Sequence, residues 1–585
     1  MIQLIKNHKW ALSFAFLVAI IVAFPQFYFP FDNTDAYQGI YIANADDESL
    51  YLGRVQEVRD GYSSLSSPVF KEGKDDPYLQ PPLGENLVAY LGKIFFLNLN
   101  NTILLARFLF PFLGFLAIYG FAFLISKDKL TALTAAIAVC LAESLLSRGA
   151  LFTLLRGGVP TTTFLDFYRP VQPQTGLLFF FSFLLFFWLF FDALTRLSIK
   201  KQWIWGVVSA LILGFSFYVY PYTWSFLYAF LGVLCLILLF QKNWPDVKKI
   251  IFMALGGIFI AMPYFLNFYK ATLYPQFWEI GYRLRLIETH QLIFGILVPS
   301  MFIIFLLFFP RKWRKQYIFS LALFIAPFIV LNQQIITGKD FSSGHYHWFC
   351  HQPLAIIFLI IILFYQTKFW QEKLKMFKNI NILKILACLI IGVSIYTGVV
   401  IQAASYKESE EQILFDQRYG PVAEWLNAHA EKEEVVLAAP HQSNILSIYT
   451  PLNQFFASHG YLCLSASNER VLNSLFLFYR LDGVSGEDAQ NLFLQEQERR
   501  NISYNVYGTY YKNISGSATA IPDEILYTFA KKYQNFLLIP LDKFLKMYDV
   551  KYVVWDTKNY PQWRLDQYQF LNKVYEEGDF KIYQN

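Results

Sequence analysis

Long apolar runs constrain this chain more than any other feature. A helix rises 1.5 Å per residue, so ~20 apolar residues cross the ~30 Å hydrocarbon core of a bilayer. About eleven stretches approach that length, roughly 10–29, 101–125, 129–147, 175–195, 203–220, 223–240, 248–268, 291–309, 316–331, 352–366 and 382–402. The tenth is the shortest. Lipid offers the backbone no hydrogen-bond partners, so such runs must satisfy their own N–H and C=O groups as helices. Composition agrees. The 585 residues are 55% hydrophobic and 19% aromatic, and only 16% are charged, against about 25% in soluble chains. The expected fold class is a multi-pass α-helical membrane protein with about 11 transmembrane helices.

Lys6 and Lys9 precede the first run and favour a cytoplasmic N-terminus. That run is longer than the ~7–15-residue apolar core of a signal peptide, and no small-x-small cleavage site follows it, so it reads as a retained span. The inside loops then carry Lys127 and Lys129; Arg196, Lys200 and Lys201; Lys242, Lys248 and Lys249; Arg311, Lys312, Arg314 and Lys315; and Lys368, Lys373, Lys375 and Lys378. Every one is basic, as the positive-inside rule demands. An odd number of spans leaves the C-terminus outside. The expected location is the plasma (inner) membrane. The net charge of +6 follows from this asymmetry and implies no nucleic-acid partner. No Gly-rich phosphate loop occurs. Cys140, Cys235, Cys350 and Cys388 lie in or beside spans and Cys463 stands alone, so no disulfide framework is implied.

Three parts follow. Residues 1–402 form the membrane domain, and within it residues 30–86 make a long first outer loop. Residues 403–585 form a polar extracytoplasmic tail about the size of one domain. In the tail, "PVAEWLNAHAEKEE" (421–434), "DEILYTFAKKYQNF" and "LDKFLKMYDV" read as helices, and "VVLAAP" (435–440) and "YVVWD" (552–556) as buried strands. An α/β or α+β domain is expected there.

The first outer loop opens with "NADDESLYLGRVQEVRDG" (44–61). Residues 46–60 fit a helix capped by Asn44 or Asp46 and ended by Gly61. Spacing of i, i+4 and i+7 puts Asp47, Tyr51 and Arg54 on one face. Capping is the plain reason for acids at a helix start, because the free N–H groups and the dipole favour them. It suits Asp46 better than Asp47.

These residues resemble the GT-C glycosyltransferases that use polyprenyl-phosphate sugars, a group that includes aminoarabinose transferases and protein mannosyltransferases. That group carries Asp-Glu-x-x-Tyr at the start of a juxtamembrane helix, with another Glu about two turns on. The matching residues are Asp47, Glu48, Tyr51 and Glu57. Its next helix opens with Lys-Pro-Pro-Leu. Here "LQPPLGENLVAYLGKIF" supplies Pro81, Pro82 and Leu83, but Gln80 replaces the lysine that meets the donor phosphate. "NQQIITG" (332–338), followed by His345 and His347, resembles a late outer loop of large bacterial relatives. The resemblance implies a GT-C-like membrane domain. It implies inverting transfer of a sugar from a polyprenyl-phosphate donor to a hydroxyl of a glycan, lipid or protein acceptor at the outer face.

In that chemistry a carboxylate takes the proton of the acceptor hydroxyl as the new bond forms. Asp47 matches the family's base, and Glu48 and Asp46 would tune it or bind the acceptor. Phosphate is a good leaving group that needs cations rather than a general acid. The binding candidates are Tyr51, Arg54 and Gln80 in the first loop, then Arg156, Arg169, Lys339, His345 and His347, with Arg148, Arg283 and Arg285 behind them. Arg169 directly precedes a span and its guanidinium can fork onto a phosphate; the alternative is a snorkelling interfacial arginine. "HYHWFCH" (345–351) lacks zinc-site spacing, so no metal is expected, the alternative being a divalent cation on Asp46 and Asp47. Two other readings stand beside the enzyme: a transporter or flippase of lipid-linked sugars, and an inactive glycan-binding relative. Transporters place charges at mid-bilayer. Here Glu143 is the only acid within reach of a span, and the conspicuous acids lie in an outer loop.

Overall fold

The computed structural model describes residues 6–41, 47–194, 199–374, 381–457 and 460–585. Asn44, Asp46, Arg196, Lys375 and Lys378, all singled out from sequence, lie outside the described residues.

Every one of the eleven apolar runs contains a helix. Among the described residues, seven helical stretches are long and apolar enough to cross a membrane: Lys9–Asp32, Leu99–Ser126, Gln174–Leu194, Pro221–Phe240, Arg314–Thr337, Gly344–Lys373 and Ile382–His429. The pair Trp244–Ile260 and Met262–Thr272, bent by 54°, makes an eighth if it is one span. The expected count of eleven is therefore not reached by length and composition. Lys129–Leu141 has 13 residues and Leu297–Phe308 has 12. In the first of these, apolar sequence continues past a backbone break at Ala142, where a tighter turn, Glu143–Leu146, begins. Ile199–Ser216 carries Lys200 and Lys201 in its first turn, which dilutes its hydropathy. An apolar run records burial or lipid contact, and helix length is a separate property.

The bundle core is aromatic. The ring of Phe319 packs against Trp188 and Phe230 at 5.0 Å each and against Phe187 at 6.0 Å, spacings that favour edge-on and offset contacts. One end of the bundle gathers the basic loops: Lys315 Nζ reaches Asp192 Oδ1 at 3.2 Å, Lys249 Nζ reaches Gln202 at 3.0 Å, and Lys127 lies over Trp188.

The opposite end carries two helices of the long loop after the first span, Glu48–Arg59 and Leu83–Ile94. The first ends as the sequence suggests. Gly61 takes φ +114°, its N–H donates to Val58 O at 3.2 Å, and the Tyr62 N–H donates to Glu57 O at 3.0 Å. This is the Schellman pattern, which favours glycine. A two-stranded ribbon, β1 (Leu286–Glu288) and β2 (Lys339–Phe341), joins two later loops with Leu286 opposite Phe341.

The tail contains a mixed five-stranded sheet in the order β4-β3-β5-β7-β6. Strand β3 (Val435–Leu437) runs parallel to β4 (Asn453–Gln454) and β5 (Val550–Asp556); β7 (Phe580–Gln584) is antiparallel to β5 and to β6 (Asn572–Glu577). The helices Gly420–His429, Asp523–Leu537 and Leu541–Met547 match the sequence patterns. The tail is not insulated from the membrane domain. Helix Ile382–Asp416 runs through residue 403 without a break. Val69 and Phe70 of the first loop are buried in the larger tail core beside Val435, Phe455 and Tyr461.

Candidate active site

Asp47 occupies the N-cap position of Glu48–Arg59, yet its side chain makes no capping hydrogen bond. Both carboxylate oxygens instead accept from Arg169 Nη1, at 2.7 and 2.9 Å. Arg169 Nε donates to the carbonyl of Gln172 at 2.6 Å, and the guanidinium lies 5.7 Å from the centre of the Tyr51 ring. Asp47 is 41% exposed and Arg169 23%, so the pair opens to solvent. Burial works against the charge on Arg169, but Tyr51, Asp47 and Asp166 outweigh it and hold the guanidinium above its usual range.

The rest of the helix is anchored by charges that face inward. Glu48 is 1% exposed and ion-pairs with Arg107 of the Leu99–Ser126 span, itself fully buried. Arg107 also donates to Gln26 Oε1 at 2.5 Å and to Tyr168 O at 3.0 Å, and stacks 3.9 Å over the Tyr168 ring. Arg54 turns away from Asp47. Its Nε donates to Glu85 at 2.5 Å and its Nη2 to the Gln80 carbonyl at 3.2 Å. These two pairs pin the helix to a span and to the second juxtamembrane helix. The Pro81-Pro82-Leu83 turn docks through the Leu83 N–H, which donates to Tyr218 O at 2.9 Å. Glu57 meets Lys74 at 2.5 Å, and burial pushes its carboxyl up to about 7 against the pull of that lysine.

A second wall comes from Tyr220 and the 339–347 segment. The Tyr220 hydroxyl hydrogen-bonds His345 Nδ1, and the His345 ring stacks on Tyr222 at 4.6 Å. His345 lies within electrostatic reach of Arg285, Arg169 and Asp47, and Tyr220 within reach of Tyr51 and Arg169. Arg285 is exposed and stands at φ +70° just before β1.

Asp47, Tyr51, Arg169 and His345 are thus brought together, with Arg285 beside them. Gln80 is half-buried behind Arg54. Lys339 Nζ sits 3.4 Å over Trp278. His347 packs its ring on Trp348. Arg156 is exposed at the end of Arg148–Leu155 and makes no ion pair among the described residues. Arg283 faces the tail. Among the described residues no group of three or more His, Cys, Asp or Glu side chains is arranged to hold a metal ion.

Sequence reading did not single out Arg107, Glu85, Tyr220 or Tyr222. Arg107 had a signal, a lone arginine within an apolar run, where a charge requires a partner. The tyrosines had none, in a chain with 38 of them.

No family model and no curated protein matches the chain. Among solved structures it is similar to the oligosaccharyltransferase of Archaeoglobus fulgidus in the apo form, with a TM-score of 0.46 and 12% identity over 94% of this chain and 70% of that one. It is also similar to ArnT from Cupriavidus metallidurans, in the apo state (TM-score 0.45, 12% identity, 99% of this chain and 98% of that one) and bound to undecaprenyl phosphate (0.44, 11%, 99% and 98%). Each likeness covers at least 94% of this chain.

Proposed function

We propose that this chain is a GT-C-type glycosyltransferase of the membrane's outer face, which moves a sugar from a polyprenyl-phosphate donor to an acceptor hydroxyl with inversion. One observation carries the reading. Asp47 stands where a helix start needs a cap, does not cap, and presents its carboxylate to a guanidinium in a half-open site. The order and spacing of Asp47, Glu48, Tyr51, Glu57 and the Pro81-Pro82-Leu83 turn add to it.

The acceptor oxygen attacks the anomeric carbon as the bond from that carbon to the phosphate oxygen breaks. The electron pair leaves on the phosphate, and the hydroxyl proton passes to the Asp47 carboxylate. Arg169, with Arg285 beside the same His345, supplies charge to the departing phosphate where Gln80 cannot. Glu48 is a positioning residue in this scheme, because its carboxylate is engaged with Arg107. The same engagement argues against passage of a substrate through the bilayer, since the buried arginine is held by Glu48, Gln26 and Tyr168.

The test is release of polyprenyl phosphate by the purified protein from a panel of lipid-linked sugars with candidate acceptors. Wild type should release it from at least one donor, and Asp47→Asn should lose about 10²–10⁴ in rate, the usual cost of removing a general base. Near-wild-type turnover by Asp47→Asn in folded protein would take Asp47 out of the mechanism.

A further inference from the structure

We infer that Arg169 is shared between Asp47 and the donor phosphate, so that the Asp47–Arg169 pair holds the base idle until a donor arrives. This rests on the transferase reading above. Arg169 is fixed at one end, because Nε donates to the Gln172 carbonyl at 2.6 Å. That leaves the two terminal nitrogens as its only fork. Nη1 is taken by both oxygens of Asp47, at 2.7 and 2.9 Å, and Nη2 has no partner among the described residues. Phosphates engage arginine through two parallel N–H···O bonds. To make both here, a phosphate must take an N–H of Nη1 as well as one of Nη2, and Asp47, whose two oxygens both draw on Nη1, must loosen its two-oxygen hold on it.

The two partners are unequal in their freedom. Arg169 is 23% exposed and braced by Gln172 and the Tyr51 ring, whereas Asp47 is 41% exposed and tied by no cap. The carboxylate is therefore the side that moves. While it chelates Nη1, both its oxygens accept from that guanidinium, and each keeps only its remaining lone pair for an incoming hydroxyl. After the exchange they are released beside the bound donor. No covalent bond changes in this step; one anion replaces another on one guanidinium, and the acceptor proton moves only later. The positive charges of Arg285 and Arg169 around His345 favour the incoming phosphate at the same place.

The experiment measures binding of undecaprenyl phosphate, without sugar, to the purified full chain in detergent, for wild type, Asp47→Asn, Arg169→Gln and the double variant. Asp47 makes no capping hydrogen bond, so the near-isosteric Asn removes no cap and folding is preserved at position 47. Asp47→Asn should bind about tenfold more tightly, because it removes the competing anion. Arg169→Gln should bind about tenfold more weakly, and adding Asp47→Asn to it should then restore nothing. If Arg169→Gln fails to fold, Arg169→Lys, which has no planar fork, takes its place in the cycle. Equal affinity in wild type and Asp47→Asn, or strictly additive effects in the double variant, overturns the exchange and leaves the transferase reading standing. Absence of binding in every variant overturns both.

Discussion

At the scale of single residues, three adjacent acids prove to be three different problems. Asp46 lies outside the described residues. Asp47 faces a half-open arginine, and Glu48 is sealed against Arg107. The sequence put Asp47 and Glu48 together as chemistry, because adjacent positions on a helix look equivalent until burial is known. They differ by about 100° around the axis, which turns one outward and the other into the bundle. The expected consequence is opposite phenotypes. Asp47→Asn should keep the protein's thermal stability and lose turnover. Glu48→Gln leaves a fully buried guanidinium without its counter-charge, and breaking such a pair costs about 3–5 kcal/mol. Melting curves in detergent separate the two; equal melting of Glu48→Gln and wild type would deny the pair its anchoring role. Arg169 was legible as a headgroup-level cation, but its partner was not, because the two residues are 122 positions apart.

At the scale of elements, the base helix is held at its start by Glu48, at its middle by Arg54 on Glu85, and at its end by Gly61. The helix, its terminator and the Pro-Pro turn after it could be read directly, because each depends on local backbone preference. The Arg54–Glu85 pair could not, since i, i+7 spacing placed Arg54 on the face of Asp47 while its long side chain swings to the neighbouring helix. Glu57 gives this element a pH signature. Its carboxyl sits at about 7 in the folded chain against an ordinary 4.5, through burial that Lys74 only partly offsets. The folded state therefore holds a proton that the unfolded chain releases between those values. The stabilising contribution is full below about pH 4.5 and lost as pH rises through about 7. Glu57→Gln should flatten that part of the stability profile, by on the order of 1–3 kcal/mol across the window. Parallel wild-type and variant profiles from pH 4 to pH 8 would count against it.

At the scale of the whole molecule, sequence periodicity gave the class, an apolar helical bundle with a polar tail, because burial and lipid contact are written in composition. It did not give the span count or the join between the parts, since both depend on where helices break and what their ends touch. Sidedness remains a prediction from the basic loops: a cysteine at Ser343 or Ser517 should react with an impermeant reagent in intact cells, and one at Lys200 or Lys312 should not. Labelling of all four from one side would overturn the orientation. Part of the join is made by Arg283, which sequence reading offered as a phosphate cation. It ends the short helix Phe277–Arg283 of the membrane domain and reaches into the tail, donating to Val506 O at 2.9 Å, Tyr461 O at 3.0 Å, Ala466 O at 2.5 Å and Asn468 Oδ1 at 2.5 Å. Gly508 lets the tail come this close: a Cβ there would stand 2.7 Å from the Arg283 carbonyl, and its φ of +60° already disfavours a side chain. Arg283→Met keeps the aliphatic bulk and strips the donors, leaving three backbone carbonyls in a buried seam, each an acceptor whose loss of partner costs about 1–3 kcal/mol. The tail should then open from the bundle before the bundle melts, which limited proteolysis of the full chain reads as faster cleavage within residues 460–520. Gly508→Ala should do the same by a different route, through steric clash rather than lost donors. Unchanged cleavage in both variants would mean that the tail is held by its other contacts, among them the continuous helix Ile382–Asp416, the buried Val69 and Phe70, and the Arg470–Glu72 ion pair.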